Sequence, residues 1–104
     1  MAYLQAQGLQ LIARNYRTPG RGGGEIDLIL QEADGTVVFV EVRSRSHSDF
    51  GGAGGSIGQG KRQRIIFAAQ HWLQRQASPC ACRFDAVLID GTQLQWLRAA
   101  FDAG

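Results

Sequence analysis

Residues 25–32 (EIDLILQE) and 36–44 (TVVFVEVRS), joined by Ala33-Asp34-Gly35, decide how this chain folds. Both runs are rich in β-branched and aliphatic residues. A three-residue loop that closes on a glycine is a common hairpin connection, with the glycine in the left-handed conformation. That loop sets Glu32 opposite Thr36, so the numbers of facing residues sum to 68. One face then pairs Ile26 with Val42, Leu28 with Val40 and Leu30 with Val38, a wholly aliphatic surface. The other pairs Glu25 with Arg43, Asp27 with Glu41 and Ile29 with Phe39. A two-residue Asp34-Gly35 loop would shift the register by one, send Asp27 and Glu41 to opposite faces, and mix polar with aliphatic residues on both. The three-residue loop is the expectation.

Toward the N-terminus, Ala2, Leu4, Ala6, Leu9 and Ile12 are loosely helical in spacing, with Gly8 as a C-terminal stop, so a short helix of about two turns is expected. Residues 11–16 read as a strand. The stretch 18–24 (TPGRGGG) is a turn too short to link domains. Beyond the hairpin, residues 46–60 are glycine-rich but lack the order of a phosphate-binding P-loop, because Lys61 is followed by Arg62. Residues 59–76 are helical in pattern, with Ile65, Ala68, Ala69, Trp72 and Leu73 on one stripe, and Ser78-Pro79 ends them. Residues 83–89 (RFDAVLI) form a buried-type strand, Asp90-Gly91 turns it, and 93–99 are a last strand or a short helical tail. The order α-β-β-β-α-β-β makes an α/β fold with a mixed central sheet flanked by helices, as one domain over residues 1–104.

Composition bounds the function. With 104 residues, 44% hydrophobic and 19% charged, the chain can bury one modest core. No apolar run approaches the roughly 20 residues that span a bilayer, and the first fifteen residues lack the order of a signal peptide; a cytoplasmic protein that avoids membranes is expected. The net charge of +2 is small. Its distribution is more telling, since eight of the eleven basic residues fall between Arg14 and Arg64 and ten of the eleven are arginine, the side chain suited to bidentate phosphate contact. Cys80 and Cys82, a lone C-x-C, make neither a zinc site nor a good disulfide.

Asp27 facing Glu41 calls for an explanation, because like charges at facing positions destabilise a sheet and two adjacent carboxylates raise the pKa of one unless a positive charge intervenes. An ion-pair ladder of Glu25 with Arg43 is the simplest structural account, yet it leaves Asp27 and Glu41 unrelieved. A hard divalent cation relieves both: Mg²⁺ takes one or two carboxylates, keeps several waters and binds phosphate oxygens. Arg43, two residues after Glu41, points to the same face and can hold phosphate but not act as a base. Lys61, one turn before Ile65, is placed to reach back to the sheet. His47 and His71 are expected to be exposed or packed, and Trp72 and Trp96 to anchor the core. Asp85, in an otherwise apolar strand, is expected to partner Arg83 or another arginine.

The runs GGGEIDLIL, VVFVEVRSR, FGGAGGSIGQGKRQRI and CRFDAVLID, over nearly the whole chain, resemble the YraN family of small bacterial proteins. That family is placed in the restriction-endonuclease-like PD-(D/E)xK superfamily. The resemblance implies an α-β-β-β-α-β core, a metal-dependent nuclease acting on DNA, including branched or damaged DNA, and Mg²⁺ or Mn²⁺ on Asp27 and Glu41. It implies Asp27, Glu41, Arg43 and Lys61 as the catalytic set, with Arg43 in the lysine position of E-x-K. Arg17, Arg21, Arg45, Arg62 and Arg64 are the expected DNA contacts, and a homodimer is compatible with such enzymes. Relatives of this kind begin with a longer helix that carries a glutamate, so the N-terminal helix here is expected to be truncated. Two other functions fit the same fold: a non-catalytic nucleic-acid-binding module, and an interaction domain that docks a partner through the glycine-rich stretch.

Overall fold

The computed structural model describes residues 2–20, 22–44 and 57–103. Helix α1 (Ala2–Ala6) leads into strands β1 (Gln10–Arg17), β2 (Glu25–Gln31) and β3 (Val37–Ser44). Helix α2 (Gln59–Gln74) follows, then β4 (Cys82–Asp90) and β5 (Gln93–Phe101). The five strands form one mixed sheet in the order β1-β2-β3-β4-β5. Strands β3 and β4 are parallel, joined through α2, and the other neighbours are antiparallel. The expected element order is met, and the segment after Gly91 is a strand through Phe101 rather than a helical tail.

The β2–β3 hairpin has the expected register, with Leu28 opposite Val40, Ile29 opposite Phe39, Leu30 opposite Val38 and Gln31 opposite Val37. Gly35 closes the loop with φ +95°, its N–H donating to Glu32 O at 2.9 Å, and Glu32 N–H donates to Thr36 O at 2.8 Å. The ladder then stops short of the acidic pair. In place of the next backbone bond, the Val42 N–H donates to Asp27 Oδ2 at 2.8 Å. One expectation fails at this point. Ile26 does not join Leu28 and Leu30 on the aliphatic face but belongs to the cluster beneath α2 with Ile29 and Phe39. Strict alternation is enforced by pairing, and past Leu28 the pairing with β3 has lapsed.

Two cores flank the sheet. Under α2, Ile65, Ala68 and Ala69 pack with Ile29, Val37, Phe39, Phe84 and Phe101, joined by the half-buried Trp72 and Leu73. The whole helical stripe read from the sequence is thus buried or half-buried. Phe39, Phe84 and Phe101 run across the sheet with successive ring centroids 5.4 and 4.9 Å apart. On the opposite face, Leu4 of α1 and Leu9 cover Leu28, Leu30, Val38, Val40 and Val87. Helix α1 spans five residues and ends before Gly8, whose φ of +97° turns the chain into β1.

Both edge strands are irregular. The β1–β2 register shifts between Leu11 and Ala13, and Asn15 has φ +50°. In β5 the register shifts opposite Asp85, and Ala99 has φ +53°. No described helix is long and apolar enough to cross a membrane.

Candidate active site

The 18–24 turn sets the start of β2 against α2. Thr18 N–H donates to Gly24 O at 3.1 Å, and Gly24 N–H donates to Thr18 Oγ1 at 2.8 Å. A side chain at Gly24 would overlap the carbonyl of Arg64 and crowd the amide of Ala68. Glycine is thus required by the close approach of β2 and α2. Through that approach, residues from β2 and from the first turns of α2 meet over the end of β3.

Glu41 lies at the centre. It is 8% exposed, and its Oε1 is buried with no hydrogen-bond partner among the described residues. Its Oε2 is 3.5 Å from Lys61 Nζ. Burial, and then the Asp27 carboxyl within hydrogen-bonding reach, push Glu41 up to about 7, with Lys61 pulling the other way. Asp27 and Glu41 therefore converge, although the strand pairing itself stops at Leu28 and Val40. Lys61 bridges Glu41 to Glu25, whose Oε1 is 3.6 Å from Nζ. Arg17 and Arg64 also meet Glu25, at 3.5 and 3.7 Å. Arg43 is half-buried on β3, two residues beyond Glu41.

Other sequence candidates go elsewhere. Arg62 leaves the cluster: its Nε donates to Ile57 O at 2.8 Å and its guanidinium lies 5.5 Å from the centre of the Phe101 ring. Arg21, Arg45, His47 and residues 46–56 of the glycine-rich stretch lie outside the described residues. His71 sits on α2 with Nδ1 2.6 Å from the Tyr16 hydroxyl. Trp72 packs edge-on against Phe39. Asp85 is fully buried and takes Arg83 as its partner in a two-pronged pair at 2.8 and 2.9 Å. It also accepts from Trp96 Nε1 at 2.8 Å and from the Ala99 N–H at 2.9 Å. Arg83 further bonds Glu32 at 2.8 Å, and Asp85 lifts its already high pKa. This cluster ties the hairpin loop to the bulged edge strand. Its carboxylates already have donors, unlike Glu41 Oε1.

Glu25 was missed as a member of the site. The facing-pair pattern pairs it with Arg43, and the ion pairs described for it come from β1 and α2. Lys61 and Arg64 are one helical turn apart and therefore share a face, which is the signal that could have pointed to a common acidic partner.

Asp27 and Glu41 fit a divalent cation by number and chemistry, since Mg²⁺ binds through one or two carboxylates with water completing its shell. Glu41 Oε1, buried without a donor among the described residues, is the kind of atom such an ion satisfies. Among the described residues, no third His, Cys, Asp or Glu completes an all-protein cage.

The profile of the uncharacterised protein family UPF0102 matches residues 1–89. A UPF0102 protein of Paracidovorax citrulli (strain AAC00-1) is 69% identical over 104 residues, covering 100% of this chain and 77% of its own. A UPF0102 protein of Acidovorax sp. (strain JS42) is 71% identical over 103 residues, with 99% of this chain and 78% of its own covered. One from Verminephrobacter eiseniae (strain EF01-2) is 67% identical over 104 residues, with 99% and 72% covered. With a family profile over most of its length and relatives this similar, the chain belongs to the UPF0102 family.

Proposed function

We propose that this protein is a metal-dependent nuclease of restriction-endonuclease-like fold that cleaves DNA phosphodiester bonds, with Mg²⁺ or Mn²⁺ held by Asp27 and Glu41. The observation that carries the reading is Glu41 Oε1, buried beside a second carboxyl and without a donor among the described residues. A stable fold rarely leaves such an atom unpaired without a reason in function. An aspartate on β2 and a Glu-x-Arg on β3 of a mixed sheet, with a lysine from the following helix, also suit this reading.

When bound, the ion would lower the pKa of coordinated water and neutralise charge on a phosphoryl group. The chain's own residues do the rest. Asp27 is fixed by the Val42 N–H, which orients its carboxylate toward Glu41. Lys61, poised between Glu41 and Glu25, holds a non-bridging phosphate oxygen or orients the attacking water. Arg43, whose guanidinium carries several donors, stabilises charge that develops on the phosphate. Arg17 and Arg64 meet Glu25, which shares Lys61 with Glu41.

The test is incubation of labelled branched and linear DNA with Mg²⁺, beside an Asp27→Ala variant and a chelator control. Cleavage by the wild type alone, abolished by chelator, is expected. Equal cleavage by both proteins would assign the activity to a contaminant. Salt-sensitive DNA binding without cleavage, indifferent to chelator and to Asp27→Ala, would make the protein a binding module.

A further inference from the structure

An open cleft of about 390 Å³, which reaches the acidic cluster through Glu25, is lined by Arg17, Thr18, Glu25, Arg64 and glycines of the 18–24 turn. Among the described residues no apolar side chain lines it, and Thr18 is occupied in pinning the turn through Gly24. Arg17 and Arg64 stand more than half exposed, yet both are tethered to the less exposed Glu25. Glu25 also shares Lys61 with Glu41, so one carboxylate orders cations for the cleft and for the metal pair. Of the charged residues that line the cleft, Arg17 and Arg64 outnumber Glu25 by one, which suits an anion entering it. Asp27 and Glu25 are two residues apart on β2, about 7 Å along a strand. That is also the order of the step between neighbouring phosphates of a nucleic-acid strand.

We propose that this cleft seats the DNA phosphodiester next to the one held at Asp27 and Glu41, and that Glu25 is the positioning residue that holds Arg17, Arg64 and Lys61 for it. The proposal rests on the nuclease reading and extends it, because a site with a second phosphate seat selects a polynucleotide strand over an isolated phosphate ester. The glycines let the strand's backbone approach the protein backbone closely, and the arginines supply forked donors to its oxygens.

The test needs no catalysis. Binding of labelled duplex DNA is followed by fluorescence anisotropy in EDTA over a salt series. The Arg17→Ala/Arg64→Ala double variant is expected to flatten the slope of log K against log salt by about one, the value for a single lost phosphate contact. Arg75→Ala, at the far end of α2, is expected to leave the slope unchanged. Glu25→Gln adds a unit of positive charge, so simple attraction would tighten binding; loss of positioning should instead weaken it about threefold, the scale of exposed ion pairs. An unchanged slope in the double variant overturns the phosphate seat while leaving the Asp27-dependent cleavage test untouched. Unchanged or tighter binding by Glu25→Gln overturns the positioning role. A wild type that fails to bind DNA even at low salt overturns this proposal, and the cleavage test with Mg²⁺ decides the nuclease reading separately.

Discussion

Replacing Glu41 by glutamine probes the acidic pair through stability rather than catalysis. A glutamate with an ordinary pKa of 4.5 is raised here to about 7 by burial and by Asp27. In the metal-free protein the folded state therefore keeps a proton that the unfolded chain has released. The penalty is absent below about pH 4.5, accrues as pH rises toward 7, and is constant above it. The gap amounts to about 3 kcal/mol at its full extent. A glutamine side chain in its place carries no charge at any of these pH values, and its amide can donate to Asp27. The Glu41→Gln variant is therefore expected to match the wild type in stability near pH 4.5 and to exceed it by about 3 kcal/mol at pH 8 in EDTA. With a urea m-value of roughly 1.5 kcal/mol/M for a domain of this size, the midpoints should separate by about 2 M. Urea titrations by circular dichroism at several pH values with chelator measure this directly. Midpoints that run in parallel from about pH 5 to pH 8 would refute the reasoning, since Glu41 would then not be strained by its surroundings.

On the proposed metal reading an ion must displace the proton on Glu41, so calorimetry should show Mg²⁺ binding that strengthens as pH rises, by up to about tenfold per unit, and levels off above pH 7. Gly24→Ala forces a methyl group into the Arg64 carbonyl and is expected to cost about 2 kcal/mol or more, read as a fall in Tm of roughly 10 °C. Asp85→Ala removes one of the two acids paired with the half-buried Arg83 and leaves the Trp96 and Ala99 N–H groups without this acceptor. A loss of about 3–5 kcal/mol is expected, with a change in tryptophan fluorescence that reports the Trp96 contact.

The hairpin was legible because loop chemistry and the period of two agree on one register, and a shift by one residue would have mixed the faces. The stripe on α2 was legible for the same kind of reason, as its spacing leaves one burial pattern. Asp27 and Glu41 were placed near each other by extending the register, although the strand pairing stops at Leu28 and Val40. Glu25 and its cations did not, because they depend on how closely α2 lies against the start of β2, which Gly24 controls and periodicity does not report. Asp85 was readable as a buried acid in an apolar strand, but its donors on β5 depend on a bulge that sequence spacing does not announce. Ile26 was misread because alternation was carried past the point where Asp27 takes over the Val42 N–H from the backbone ladder.

The kinks at Asn15 and Ala99 have a consequence for how the molecule meets others of its kind. A straight outer strand offers a regular rail of donors and acceptors onto which another extended chain can zip. Here both margins are broken, one by a residue turned into left-handed backbone and the other by a bulge held to Asp85. Copies crowded together meet two interrupted margins, which disfavours zipping of one copy's strand onto another's.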